Sequence, residues 1–86
     1  MPIDPSEIET TILAQLGKVA PGKTLMAEDI ARCLAPDSDW HALMMPVRRA
    51  AVALALAGRL AIYRKGKPVD PTDFKGVWRM GLPRSD

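Results

Sequence analysis

The spacing of apolar residues changes once along this chain, and the change fixes the order of its parts. Up to Leu54 they recur at helical intervals, whereas beyond Gly58 they alternate. Asp4-Pro5-Ser6-Glu7 opens the helical part with a capping side chain, a proline at the first helical position and a glutamate placed to close a capping box. Ile8, Ile12, Leu13 and Leu16 then line one face, and Gly17 supplies a stop, which predicts a first helix over residues 5–17. Ala20-Pro21-Gly22-Lys23 reads as a turn, and Thr24-Leu25 as a very short strand. Ala27, Ile30, Ala31 and Leu34 give the buried stripe of a second helix over residues 26–35. Glu28 and Asp29 suit its positive end.

A third stripe runs through Trp40, Leu43, Met44, Val47, Ala51 and Leu54, predicting a helix over residues 40–57. Pro46 lies inside it, so the segment is either kinked or split into a short piece capped by Asp39 and a longer one beginning near Pro46. Ala50 to Ala57 is apolar all round, which predicts burial of that half. After Gly58, a hairpin spans residues 59–82. Its first strand holds Leu60, Ile62 and Arg64, its polar loop runs from Gly66 to Gly76, and Trp78, Met80 and Leu82 share the buried face of the returning strand. Trp40, Tyr63, Phe74 and Trp78 are read as core or loop anchors. The fold class expected is α+β, mainly helical: a three-helix winged helix-turn-helix with the hairpin as a C-terminal wing, forming one domain over residues 1–86.

Several short runs also resemble a known family. They are Pro21-Gly22-Lys23-Thr24, Asp29-Ile30-Ala31-Arg32, Trp40, Val47-Arg48, Ala57-Gly58, Lys65-Gly66-Lys67-Pro68-Val69-Asp70-Pro71 and Gly76-Val77-Trp78-Arg79. Together they resemble a family of small uncharacterised bacterial winged-helix proteins, a domain of unknown function, over nearly the whole chain. The resemblance implies a winged-helix fold and an association with nucleic acid, and it brings no reaction, ligand or catalytic residue. Met26-Ala27 departs from it, because a capping or small polar residue is expected where the second helix begins.

The net charge of +2 conceals an asymmetry. Residues 1–40 carry three Lys and Arg against seven Asp and Glu, a net −4, while residues 41–86 carry nine against three, a net +6. A basic face of this kind attracts polyanions, and double-stranded DNA is the expected partner, as for a transcriptional regulator. Arg48, Arg49 and His41 lie off the core stripe of the third helix, while Arg64, Lys65, Lys67, Lys75 and Arg79 surround the wing. These are the candidate nucleic-acid contacts. Asparagine is absent and the single glutamine, Gln15, is on the first helix, so direct readout of adenine is expected to be weak. The alternative is a protein-interaction or homodimerisation module using Met45, Val52 and Leu56, which fall opposite the core stripe.

Other chemistries find little support. Gly17-Lys18-Val19-Ala20-Pro21-Gly22-Lys23-Thr24 satisfies the phosphate-loop pattern, but helical periodicity precedes it where a buried strand is required, so no nucleotide is expected. Cys33 and His41 are too few for a zinc site, lack a third group to complete a nucleophile–base pair, and imply neither metal nor cofactor. No enzyme activity is expected. The longest apolar stretch, Ala50 to Ala57, is far below the ~20 residues of a membrane span. The acidic N-terminal segment is unlike a signal peptide, which makes a cytoplasmic protein the expectation.

Overall fold

In the computed structural model, residues 4–19, 23–36 and 39–83 are described. The first helix, α1, is Pro5–Leu16, and α2 is Ala27–Leu34. A 3₁₀ turn over Trp40–Leu43 leads into α3, Met44–Leu56. Three short strands follow: β1 at Ala61–Arg64, β2 at Lys67–Pro68 and β3 at Arg79–Gly81. The arrangement is α+β and winged-helix-like, with three helices preceding a small antiparallel sheet in the order β2-β1-β3.

The helix ends follow from local chemistry. The Asp4 carboxylate accepts from the Ser6 backbone N–H and hydroxyl, both at 2.9 Å, so the cap is made to Ser6 rather than to Glu7. At α2 the missing Ncap side chain is offset from the other direction: Asp29 reaches back, and its Oδ2 accepts from the Met26 N–H at 2.9 Å. That is half of a capping box, and it satisfies an N–H just outside the helix. Pro46 splits the third segment. Its ring crowds the carbonyl four residues earlier, at Ala42, so residues 40–43 take the tighter 3₁₀ form. The helix restarts at Met44, which places Pro46 in the first turn, where a missing N–H costs nothing. Asp39 Oδ1 caps the 3₁₀ turn by accepting from His41 N–H at 3.1 Å. The Ala20–Gly22 turn and residues 37 and 38 lie outside the described residues.

Ile8, Ile12, Leu16, Ile30, Ala31, Val47, Ala51 and Leu54 form the helical side of the core. Leu60, Ile62 and Met80 close it from the sheet. The short strand expected at Thr24-Leu25 is a single bridge, in which Leu25 and Met80 exchange both backbone hydrogen bonds at 2.8 Å.

Two expectations change. Ala53, Leu56 and Ala57 are exposed, so the second half of α3 is not buried all round, because the sheet covers only one of its flanks. Leu82 is 50% exposed, since β3 ends at Gly81 and the chain leaves the core there. The hairpin is also built differently. Lys65 and Gly66, with φ of 53° and 82°, make a two-residue turn of the I′ kind, and β2 pairs with β1 immediately after it. The long loop therefore connects β2 to β3, and the returning strand lies on the other side of β1.

Hydrogen bonding to Ser6, backbone first and hydroxyl second, holds the Asp4 carboxyl below the ordinary aspartate value. Asp70 is lowered likewise by the Thr72 hydroxyl and then the Thr72 N–H. A lowered folded-state value means that each carboxylate favours the fold above the unfolded-state value of about 3.9, and that this contribution disappears as pH falls through the folded value. Melting temperature is therefore expected to drop below about pH 4, and Asp4→Asn to flatten part of that dependence. Thermal unfolding across that range, with side-chain NMR titration of the two aspartates, checks it.

Candidate nucleic-acid interface

The loop between β2 and β3 is held by two arginines from different elements. Val69 N–H first extends the pairing with a 2.9 Å bond to the Ile62 carbonyl. Asp70 then makes a turn, its Oδ1 accepting from Thr72 N–H at 2.8 Å and from the Thr72 hydroxyl at 2.6 Å. Phe74 is buried, and this drives an otherwise polar loop down onto α3. Arg48 of α3 receives it. Its Nη2 donates to the Phe74 carbonyl at 3.1 Å, and its Cζ lies 4.0 Å from the Phe74 ring centroid and 6.0 Å from that of Trp78. The two rings meet edge to face at 5.5 Å. On the far side, Arg64 of β1 donates from Nε to the Val77 carbonyl at 3.2 Å. Gly76 lies against this second arginine with a φ of +83°, and a Cβ there would sit 2.9 Å from Arg64 Nη2. The positive φ favours glycine, and a side chain there would also displace the end of the Arg64 guanidinium.

Lys75 stands exposed between these two anchor points, and Lys65 and Lys67 stand exposed at the β1–β2 turn. The cross-strand pairing of Arg64 with Lys67 puts both on one side of the sheet. Arg79 is exposed on β3 but tied down, with Nε donating to Thr24 Oγ1 and Nη2 to the Thr24 carbonyl at 3.3 Å.

Among the described residues the ion pairs are Arg32 with Glu28 at 3.1 Å and His41 with Asp39 at 3.3 Å. Arg48, Arg49, Arg59, Arg64, Lys65, Lys67, Lys75 and Arg79 therefore have no carboxylate partner there. Asp70 and Asp73, exposed in the same loop as Lys75, form no ion pair with these cations, and the Asp70 carboxylate is turned to Thr72.

The remaining candidates lie elsewhere. Arg49 is exposed and lines a groove of about 270 Å³ between α1 and α3, on the flank next to Glu9 rather than beside the loop. His41 stacks on Trp40 with ring centroids 3.8 Å apart, and Arg32 Cζ lies 4.6 Å from the Trp40 ring centroid. Both tryptophans are half-buried anchors. Met45 and Leu56 are 56% and 63% exposed, and Val52 is half-buried. Cys33 is an exposed thiol on α2. No cluster of three or more His, Cys, Asp or Glu able to hold a metal occurs among the described residues. None of the described helices is long and apolar enough to cross a membrane. Gly17 of the phosphate-loop-like run ends α1, so a helix stands where that motif needs a strand, and Ala20–Gly22 of the run lie outside the described residues.

The sequence marks Phe74 and Trp78 as anchors, but not Arg48 as the group that receives them. Phe74 inside a polar loop was the available signal for the anchoring, since a lone aromatic there has to find cover.

The family model described as "Protein of unknown function (DUF3253)" matches residues 5–83. No curated protein matches the chain.

Arg48→Ala is expected to free the loop from α3, costing about 1–2 kcal/mol for the bond to the carbonyl and the ring contacts together. Arg48→Lys should restore less than half of it, because an ammonium lacks the planar face that stacks on Phe74. Urea unfolding gives the energies, and the Trp78 indole resonance reports the release.

Proposed function

The chain belongs to that family of proteins of unknown function, and we propose that this member binds double-stranded DNA by gripping phosphates with the hairpin turn and the loop behind it. Lys65, Lys67 and Lys75 make the contacts. Arg64 and Arg79 add positive potential from positions already committed to backbone carbonyls, and Arg48 acts as a positioning residue by fixing the loop that carries Lys75. The observation that carries the proposal is the absence, among the described residues, of any carboxylate partner for these cations. Exposed cations of one sign repel each other, and a phosphate backbone relieves that repulsion while releasing its counterions.

The same geometry argues for contact without strong sequence preference. Of the two arginines on α3, Arg48 is turned to Phe74, and Arg49 is the exposed one. With no asparagine in the chain and its one glutamine on α1, the side chains that pair bidentately with adenine are missing from α3. Phosphate contacts position a protein on DNA but carry no sequence information. In a cell without a nucleus, a role on DNA places the protein in the cytoplasm.

Fluorescence anisotropy with two unrelated duplexes, titrated from low to physiological salt, tests this. Both duplexes should bind with similar affinity, and log K should fall steeply with log salt. Charge reversal at Lys65, Lys67 and Lys75 together should abolish binding at physiological salt and flatten the salt slope by about 3 units, one for each phosphate that is no longer neutralised. Unchanged binding by that variant contradicts the assignment.

A further inference from the structure

The outward face of α3 carries the apolar side chains Met45, Val52 and Leu56, and contact with phosphates has no use for them. Met45 and Leu56 are more than half exposed, and Val52 is half-buried. With Arg49 they occupy positions 45, 49, 52 and 56, separated by steps of four, three and four. Side chains at that spacing form the seam through which two α-helices interdigitate. The steps also read the same in both directions. If a second α3 is laid antiparallel on the first, Met45 meets Leu56, Arg49 meets Val52, and the reciprocal contacts are identical. Such a self-matching patch is what a two-fold interface requires.

The charges beside the seam point to the same occupant. The groove between α1 and α3 has Ile8 and Ala50 in its lining, and it also presents Glu9 and Arg49, which form no ion pair with each other. No acid lies anywhere on α3. A two-fold axis through the seam would set this flank of one protomer beside the same flank of the other, leaving each Arg49 at the edge of its contact with Val52 and on the side where the partner's Glu9 lies. A duplex offers nothing apolar along its phosphates to cover Met45 and Leu56, whereas a second copy of this chain covers them.

We propose that this protein self-associates through antiparallel pairing of α3 with α3 of a second copy. The pairing is weak. Thirteen residues make a helix only ~20 Å long, and its outward face offers just two well-exposed apolar side chains, Met45 and Leu56. It therefore forms at high protein concentration, or where two copies are held close together.

The test uses site-directed cross-linking in a Cys33→Ser background, which removes the exposed native thiol. Met45→Cys and Leu56→Cys are prepared separately and oxidised alone and as an equimolar mixture. The mixture should give the 45–56 cross-linked dimer many-fold faster than either variant alone. Sedimentation velocity of the native chain, from about 10 μM to about 1 mM, should show a rising average mass, and Leu56→Glu should weaken the association at least tenfold. Both substituted positions are exposed, and circular dichroism checks that the helices remain. A native chain that stays monomeric throughout overturns the proposal, as does Met45→Cys cross-linking to itself as fast as the mixture does.

Discussion

Leu25 and Met80 exchange both of their backbone hydrogen bonds at 2.8 Å, and through this one bridge the segment between α1 and α2 becomes an extension of the sheet. The Met80 side chain is fully buried under the helices, and its strand partner on the other side is Ile62, also buried. One residue thus joins the helical layer to the sheet by backbone on one side and by packing underneath. Arg79, next to it, repeats the tie by donating to the Thr24 carbonyl. With β3 fixed in this way, the ten residues that connect it to β2 have a set place to return to. They have to pass beside α3, where Arg48 and the buried Phe74 ring hold them.

That sequence of constraints gives the arginines and lysines of the basic half different work. A guanidinium is planar and carries several donors, so it can stack on a ring and still donate to a carbonyl. Arg48, Arg64 and Arg79 each donate to a backbone carbonyl of another segment. The lysines have compact, strongly hydrated charges that stay in water. Lys65, Lys67 and Lys75 are all exposed on the framework that the arginines fix. Positive charge in this half of the chain thus serves two ends, since removing an arginine disturbs the shape of the loop as well as its potential.

Local signals made the helical half legible. Asp4-Pro5, Gly17, the Ala27 to Leu34 stripe and Gly58 fixed the helices to within a residue or two, because caps and periodicity act over a few neighbouring positions. Pro46 announced a break, but whether it kinked or split the segment depended on what the residues before it could adopt, and Asp39 decided this by capping a 3₁₀ turn. The β region was less legible. Lys65-Gly66 is an unusual pair for a tight turn, as a non-glycine residue there takes a φ of 53°, and the loop therefore read as beginning earlier than it does. Arg48 shows the limit most clearly: helical geometry put it off the core stripe, but its partner is 26 residues away and only tertiary packing brings the two together.

On the proposed function, the framework set by Arg48, Arg64 and Met80 presents one phosphate-binding edge, made by the hairpin turn and the loop behind it. Backbone amide shifts followed by NMR during titration with a short duplex probe that edge residue by residue, because each amide reports separately. Perturbations are expected to concentrate at Lys65, Gly66, Lys67, Lys75 and Gly76, with Met45, Val52 and Leu56 unmoved at protein concentrations too low for self-association. Perturbations centred on Met45 to Leu56, on α1 and α2, or nowhere at all would contradict it.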